Sequence, residues 1–112
     1  MFKDDYVKIK RMLDDANECL SFVKGKTRKD LNTNKILVYA LVKVIEIIGE
    51  AASKISGDFK NKNSEIPWQD IVGMRNHLIH VYFDIDLDIL WDTVNKDLPI
   101  LLKALKKLKS GK

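Results

Sequence analysis

Cysteine occurs once in these 112 residues, histidine twice, proline twice, tryptophan twice and glycine five times. The lone Cys19 excludes an intrachain disulfide, and its place in an apolar-periodic stretch marks it as a small buried side chain rather than a redox centre. With His77 and His80 the whole histidine complement, no set of His, Cys and carboxylates has metal-ligand spacing, so neither a metal nor another cofactor is expected. A glycine-rich phosphate loop is also missing, which argues against nucleotide hydrolysis. No run approaches the length of a transmembrane helix, and Met1-Phe2-Lys3-Asp4-Asp5 is not a charged leader followed by an apolar stretch, so a cytoplasmic chain without membrane attachment is expected. Sustained period-two alternation and a βαβ rhythm are absent too, which excludes a sheet-based fold.

What is present is a composition that folds: 46% apolar and 32% charged, in a length suited to one domain. Phe2, Tyr6, Ile9, Leu13, Ala16, Leu20 and Val23 recur at spacings of three and four, the stripe of an amphipathic helix, and Gly25 is a plausible stop. A second helix is expected from Leu31 to Ser56. It is apolar on more than one face, as a central helix with several neighbours would be. Residues 58–66 are polar and aperiodic and read as a surface loop, after which Pro67 suits the first turn of a third helix over Trp68–Val81. Asp84 and Asp86 are placed to start a fourth, carried by Leu87, Leu90, Trp91 and Val94. Pro99 marks a kink or a new start before the stretch Ile100–Leu108. Without a linker or an internal repeat, the expectation is an all-α bundle of four to five helices forming a single domain over 1–112.

The formal net charge of +4 permits a polyanionic partner without requiring one. Its distribution is more specific. Lys24, Lys26, Arg28 and Lys29 crowd one junction, and Lys103, Lys106, Lys107, Lys109 and Lys112 load the C-terminal end, where they either guide an RNA backbone or solvate a helix and complement its dipole.

Both histidines fall in Met74-Arg75-Asn76-His77-Leu78-Ile79-His80-Val81-Tyr82. At about 100° per residue, Asn76 and His80 lie one turn apart, Arg75 is about 140° from His80, and His77 is about 200° from Arg75. The grouping suits RNA cleavage. An imidazole titrating near neutrality can take the proton of a 2′-hydroxyl, and a forked, permanently charged guanidinium can hold the phosphorane that follows, so no metal is required. Asn76 can orient His80 or donate to a phosphate oxygen. Glu50, a carboxylate in an otherwise apolar run, needs a partner such as Arg75 if buried; if exposed, Lys54 stands one turn away. Gly49 and Gly73 interrupt helices, for which close helix approach is the expected cause, and Trp68 and Trp91 read as core anchors.

Taken in order, Gly49-Glu50-Ala51-Ala52, Ile66-Pro67-Trp68, and Arg75-Asn76 followed by His80 and Tyr82 resemble the HEPN family in its HepT branch, whose signature is Arg-x4-His-x-Tyr. The resemblance spans nearly the whole chain. It implies an α-helical toxin that forms a homodimer, bringing its Arg-His motifs into one cleft, and that cuts RNA without a metal. It also implies an MNT-type nucleotidyltransferase antitoxin as partner, which moves AMP from ATP to the motif tyrosine and so adds bulk and negative charge at the cleft. On this mapping Arg75 and His80 are catalytic, Asn76 is auxiliary with Glu50 a lesser candidate, Tyr82 is the modification site and His77 is a bystander. Two other readings are a HEPN-like module that binds nucleotides or proteins without cleaving, and a helical adaptor whose basic C-terminus docks on an acidic or membrane surface.

Overall fold

A computed structural model describes residues 2–78 and 84–108. The expected first stripe forms α1 (Lys3–Val23), which buries Ile9, Met12, Leu13, Ala16, Cys19 and Val23. Gly25, at φ +77°, takes the left-handed conformation that lets the chain turn away beyond its end. The long second helix is divided. Asn34 leaves helical geometry at φ −103° and ψ 84°, ending α2 (Asp30–Thr33) and capping α3 (Lys35–Ser53), where its side chain accepts the amide N–H of Leu37 at 3.0 Å. An asparagine side chain offers the backbone this alternative hydrogen bond, and periodicity alone does not reveal the break.

Burial of Leu37, Val38, Leu41, Val42, Val44, Ile45, Ile48, Gly49 and Ala52 fits α3 for the centre of the bundle. It packs between α1 and α5 (Trp68–Leu78), while the C-terminal helix lies along α1. The stretch read as a surface loop contains a short helix, α4 (Gly57–Lys62). Ser56 caps it, and Phe59 drives into the core with no exposed surface. Rings of Phe2, Tyr6 and Trp68 meet Phe59 edge-on at centroid separations of 5.4, 5.2 and 6.1 Å. Beside them the buried Asp5 carboxylate accepts the Ser56 N–H at 2.8 Å and the Ser56 hydroxyl at 2.7 Å, tying the start of α1 to the α3–α4 junction.

After residue 83, Asp86 caps α6 (Leu87–Asp92) by accepting the Ile89 N–H at 3.0 Å, whereas Asp84 stands exposed. Pro99 falls at the second residue of a new α-helical segment, reached without a break in the helical run. Thr93–Asp97 widens into a π turn and runs directly into α7 (Leu98–Leu108). A proline donates no N–H and crowds the carbonyl four residues back, here that of Asn95, and the wider turn accommodates both effects within one helical run. The bundle is thus all-α, with four long helical runs and two short helices among the described residues. No helix among them is long and apolar enough to cross a membrane.

Candidate functional site

Trp68 anchors the start of α5: it is buried, and its indole N–H donates to the carbonyl of Asn63 at 3.1 Å. With 7% of its surface exposed, Trp68 is the core anchor expected of it. Ile71, Met74 and Leu78 then repeat inward, so Arg75 and Asn76 of the last described turn emerge beside the core rather than within it. The level at which Arg75 emerges is set by Gly49. A Cβ there would stand 3.3 Å from the carbonyl oxygen of Val72 and 3.4 Å from that of Ile71, so the backbones of α3 and α5 approach as closely as a glycine permits.

The two helices run antiparallel, and three residues back along α3 from Gly49 face three residues on along α5 from Val72. Glu46 therefore meets Arg75, whose Nε–H donates to the Glu46 carboxylate. Their side chains are 30% and 40% exposed, which places the pair at the boundary between core and solvent. Its remaining guanidinium nitrogens take no partner among the described residues. An open groove of about 540 Å³ lies over the pair, bordered by Arg11 of α1, by Lys43, Glu46 and Glu50 of α3, and by Arg75. Arg11 is paired with Asp15 at 3.3 Å, while Lys43 has no ion-pair partner among the described residues. With Arg11 matched by Asp15, Arg75 by Glu46 and Glu50 by Lys54, the groove carries a surplus of one positive charge, that of Lys43.

Of the two readings of Glu50, the structure takes the exposed one: it borders the groove but pairs with Lys54 at 3.4 Å, and Glu46 holds Arg75 instead. Both carboxylates interrupt the same apolar run, and choosing between them needs the α3–α5 register, which sequence does not display. Asn76 is exposed, with no hydrogen-bond partner among the described residues. His77 points elsewhere, into a hollow between α5 and α7 that it shares with Asp70, Asp97 and Ile100. His80 and Tyr82 lie outside the described residues. The expectation for the glycines holds at Gly49 and fails at Gly73, where nothing lies within 4 Å of an added Cβ.

In the first basic cluster, Arg28 is structural. Its Nε–H donates to Asp88 at 2.7 Å and a second nitrogen to Asn32 at 2.9 Å, fastening α2 to α6, while Lys24, Lys26 and Lys29 are exposed. Lys103, Lys106 and Lys107 are exposed along α7, and Lys109 and Lys112 lie outside the described residues. Burial and the neighbouring Glu18 push the Cys19 thiol up to about 12, so it is inert at neutral pH. Among the described residues no group of three or more His, Cys, Asp or Glu is gathered as for a metal ion.

The sequence model described as Ribonuclease HepT-like matches residues 12–108, a span that contains the whole groove except Arg11. A Methanocaldococcus jannaschii protein named "Putative RNase" is 40% identical over 95 residues, covering 85% of this chain and 87% of its own length. A Thermococcus cleftensis protein named "Probable ribonuclease HepT" is 38% identical over 104 residues, 89% of this chain and 94% of its own. A third, from Caldanaerobacter subterraneus and also named "Putative RNase", is 36% identical over 100 residues, 89% of each chain. No solved structure matches the chain. Close relatives spanning nearly the whole fold, and a family match that takes in Arg75 and the helix facing it, have one reading: the chain belongs to the HepT-like ribonuclease family.

Proposed function

We propose that this chain is a metal-independent endoribonuclease and the toxin of a toxin-antitoxin pair, with Arg75 and His80 as its catalytic residues. The observation that carries the reading is Arg75 itself: a guanidinium fixed at one nitrogen and open at the others, in a cationic groove, within a family of ribonucleases. A phosphate approaching that groove meets a planar donor fork suited to bidentate contact.

In the proposed reaction an imidazole of His80 takes the proton of the RNA 2′-hydroxyl, and the 2′-oxygen attacks the adjacent phosphorus. Arg75 holds the extra negative charge of the phosphorane. The bond to the 5′-oxygen then breaks, a second imidazole returns a proton to that oxygen, and the products end in a 2′,3′-cyclic phosphate and a 5′-hydroxyl. A homodimer supplies both imidazoles by bringing two copies of the motif into one cleft. Asn76, exposed beside Arg75, is the auxiliary donor to a phosphate oxygen. Glu50 is reduced by its pairing with Lys54 to a charge on the groove's rim.

The partner is an MNT-type nucleotidyltransferase, which transfers AMP from ATP to the hydroxyl of Tyr82 with release of pyrophosphate. The nucleotide brings a phosphate into a site built to attract one, which blocks RNA. This chemistry belongs to the cytoplasm, where RNA and ATP are both present.

The test is incubation of purified wild type and His80→Ala with a defined RNA in EDTA, with analysis of the product ends. Wild type should leave 2′,3′-cyclic phosphates and His80→Ala should leave the RNA intact, with unchanged helical circular dichroism. An intact RNA in both, or a requirement for divalent metal, defeats the proposal.

A further inference from the structure

We infer that Glu46 is a positioning residue for the cleavage reaction, fixing the direction in which Arg75 presents its guanidinium to the scissile phosphate. The inference rests on the ribonuclease reading and assigns a role to a residue that the Arg-His motif does not include.

An arginine side chain has many rotamers, and a catalytic arginine that must be ordered by its substrate draws the cost of that lost freedom from binding. Here it is ordered beforehand. Glu46 projects from α3 between the core residues Ile45 and Ile48, one turn from the Gly49 contact that locks α3 against α5. Its carboxylate receives Arg75 through Nε alone, and the end-on edge formed by the two terminal nitrogens takes no partner among the described residues. That edge is the one able to grip two oxygens of a phosphate. Pinning Nε fixes most of the side chain's torsions and leaves the free edge to a residue that lines the groove, as does Lys43, which has no ion-pair partner among the described residues.

The same carboxylate has a cost. Its negative charge beside Arg75 weakens the attraction of the groove for RNA in the ground state, while the orientation it imposes matters most when the phosphorane forms. Glu46 should thus favour turnover while weakening ground-state binding, so that its loss lowers kcat and KM together, which the loss of a residue needed only for folding does not do.

The experiment measures kcat and KM for a defined RNA with wild type, Glu46→Ala and Glu46→Gln, alongside thermal melts and binding of a 2′-O-methyl RNA that cannot be cut. Glu46→Ala should lower kcat on the order of 100-fold, the effect of an ångström-scale misplacement, while KM falls and the uncleavable RNA binds more tightly. Glu46→Gln, whose amide oxygen still accepts the Nε–H, should recover much of kcat and keep the lowered KM. An unchanged kcat, or a loss of kcat with a raised KM and a depressed melting temperature, overturns the positioning role. A wild type that leaves RNA intact removes the ribonuclease reading and this role together, whereas a cutting wild type with indifferent Glu46 variants removes this role alone.

Discussion

The seam between α3 and α5 has two ends, and they are built differently. Near Trp68 it closes on an aromatic corner: the fully buried Phe59 lies among three rings, the indole N–H is satisfied by a backbone carbonyl, and the buried Asp5 takes two hydrogen bonds from Ser56. At the other end the same helices meet through Glu46 and Arg75, a half-exposed ion pair under an open groove. An ion pair at such a boundary contributes only about 0–1 kcal/mol to stability, whereas a buried aromatic ring contributes several times that. The contrast teaches that the aromatic corner carries the stability of the seam, which leaves the charged end, the proposed site, with little structural duty. Gly49, at the closest approach, sets the spacing of the two helices one turn from the charged end.

The largest effect should come from breaking the aromatic end. Phe59→Ala removes a ring with no exposed surface and leaves a cavity among Phe2, Tyr6 and Trp68, at an expected loss of roughly 3–5 kcal/mol. Denaturant titration would read it. RNA cleavage per folded molecule should hold up far better than stability, because the proposed site lies at the opposite end of the seam. If activity falls in step with a stability that barely changes, the division of labour between the two ends is wrong.

These two ends were not equally legible in the sequence. The helical stripe of α1, the breadth of α3 and the cap at Asp86 follow from residue spacing and side-chain chemistry, so the all-α bundle is readable before any coordinates. Phe59 was not readable: one apolar residue in a polar stretch has no period, and only the fold shows that it fills the corner between α1 and α5. The break at Asn34 was hidden because a capping asparagine and an exposed helical one look alike in a sequence. At the charged end, Arg75 was recognisable from its motif, but its partner was not. Glu46 and Glu50 sit one turn apart in the same apolar run, and the difference between them is a matter of register.

That register can be disturbed directly. Gly49→Ala places a methyl group against two backbone carbonyls, at 3.3 and 3.4 Å, which cannot rotate away as a flexible side chain could. The helices must separate by a few tenths of an ångström. The expected cost is about 1–3 kcal/mol, with a decrease in RNA cleavage at temperatures where the variant is still fully folded, because Glu46 and Arg75 lie one turn beyond the contact. Unaltered cleavage in a destabilised Gly49→Ala protein would mean that the charged end sets its own geometry.

Gly73 sharpens the comparison with the smallest change. It lies on α5, one residue beyond the Val72 whose carbonyl crowds Gly49 of α3, yet a Cβ there meets nothing within 4 Å. It borders a shallow hollow with Ser53, Trp68 and the partly exposed Val72. In the free chain Gly73→Ala should therefore gain up to about 1 kcal/mol from helix propensity alone, read as a small rise in the denaturation midpoint. The sign of the effect separates two causes for the glycine. A gain means that the position is open to solvent and simply unoptimised. A loss that grows with protein concentration and accompanies a change in sedimentation means that this face is covered by a second copy, whose backbone then makes at Gly73 the kind of close approach that α5 makes at Gly49.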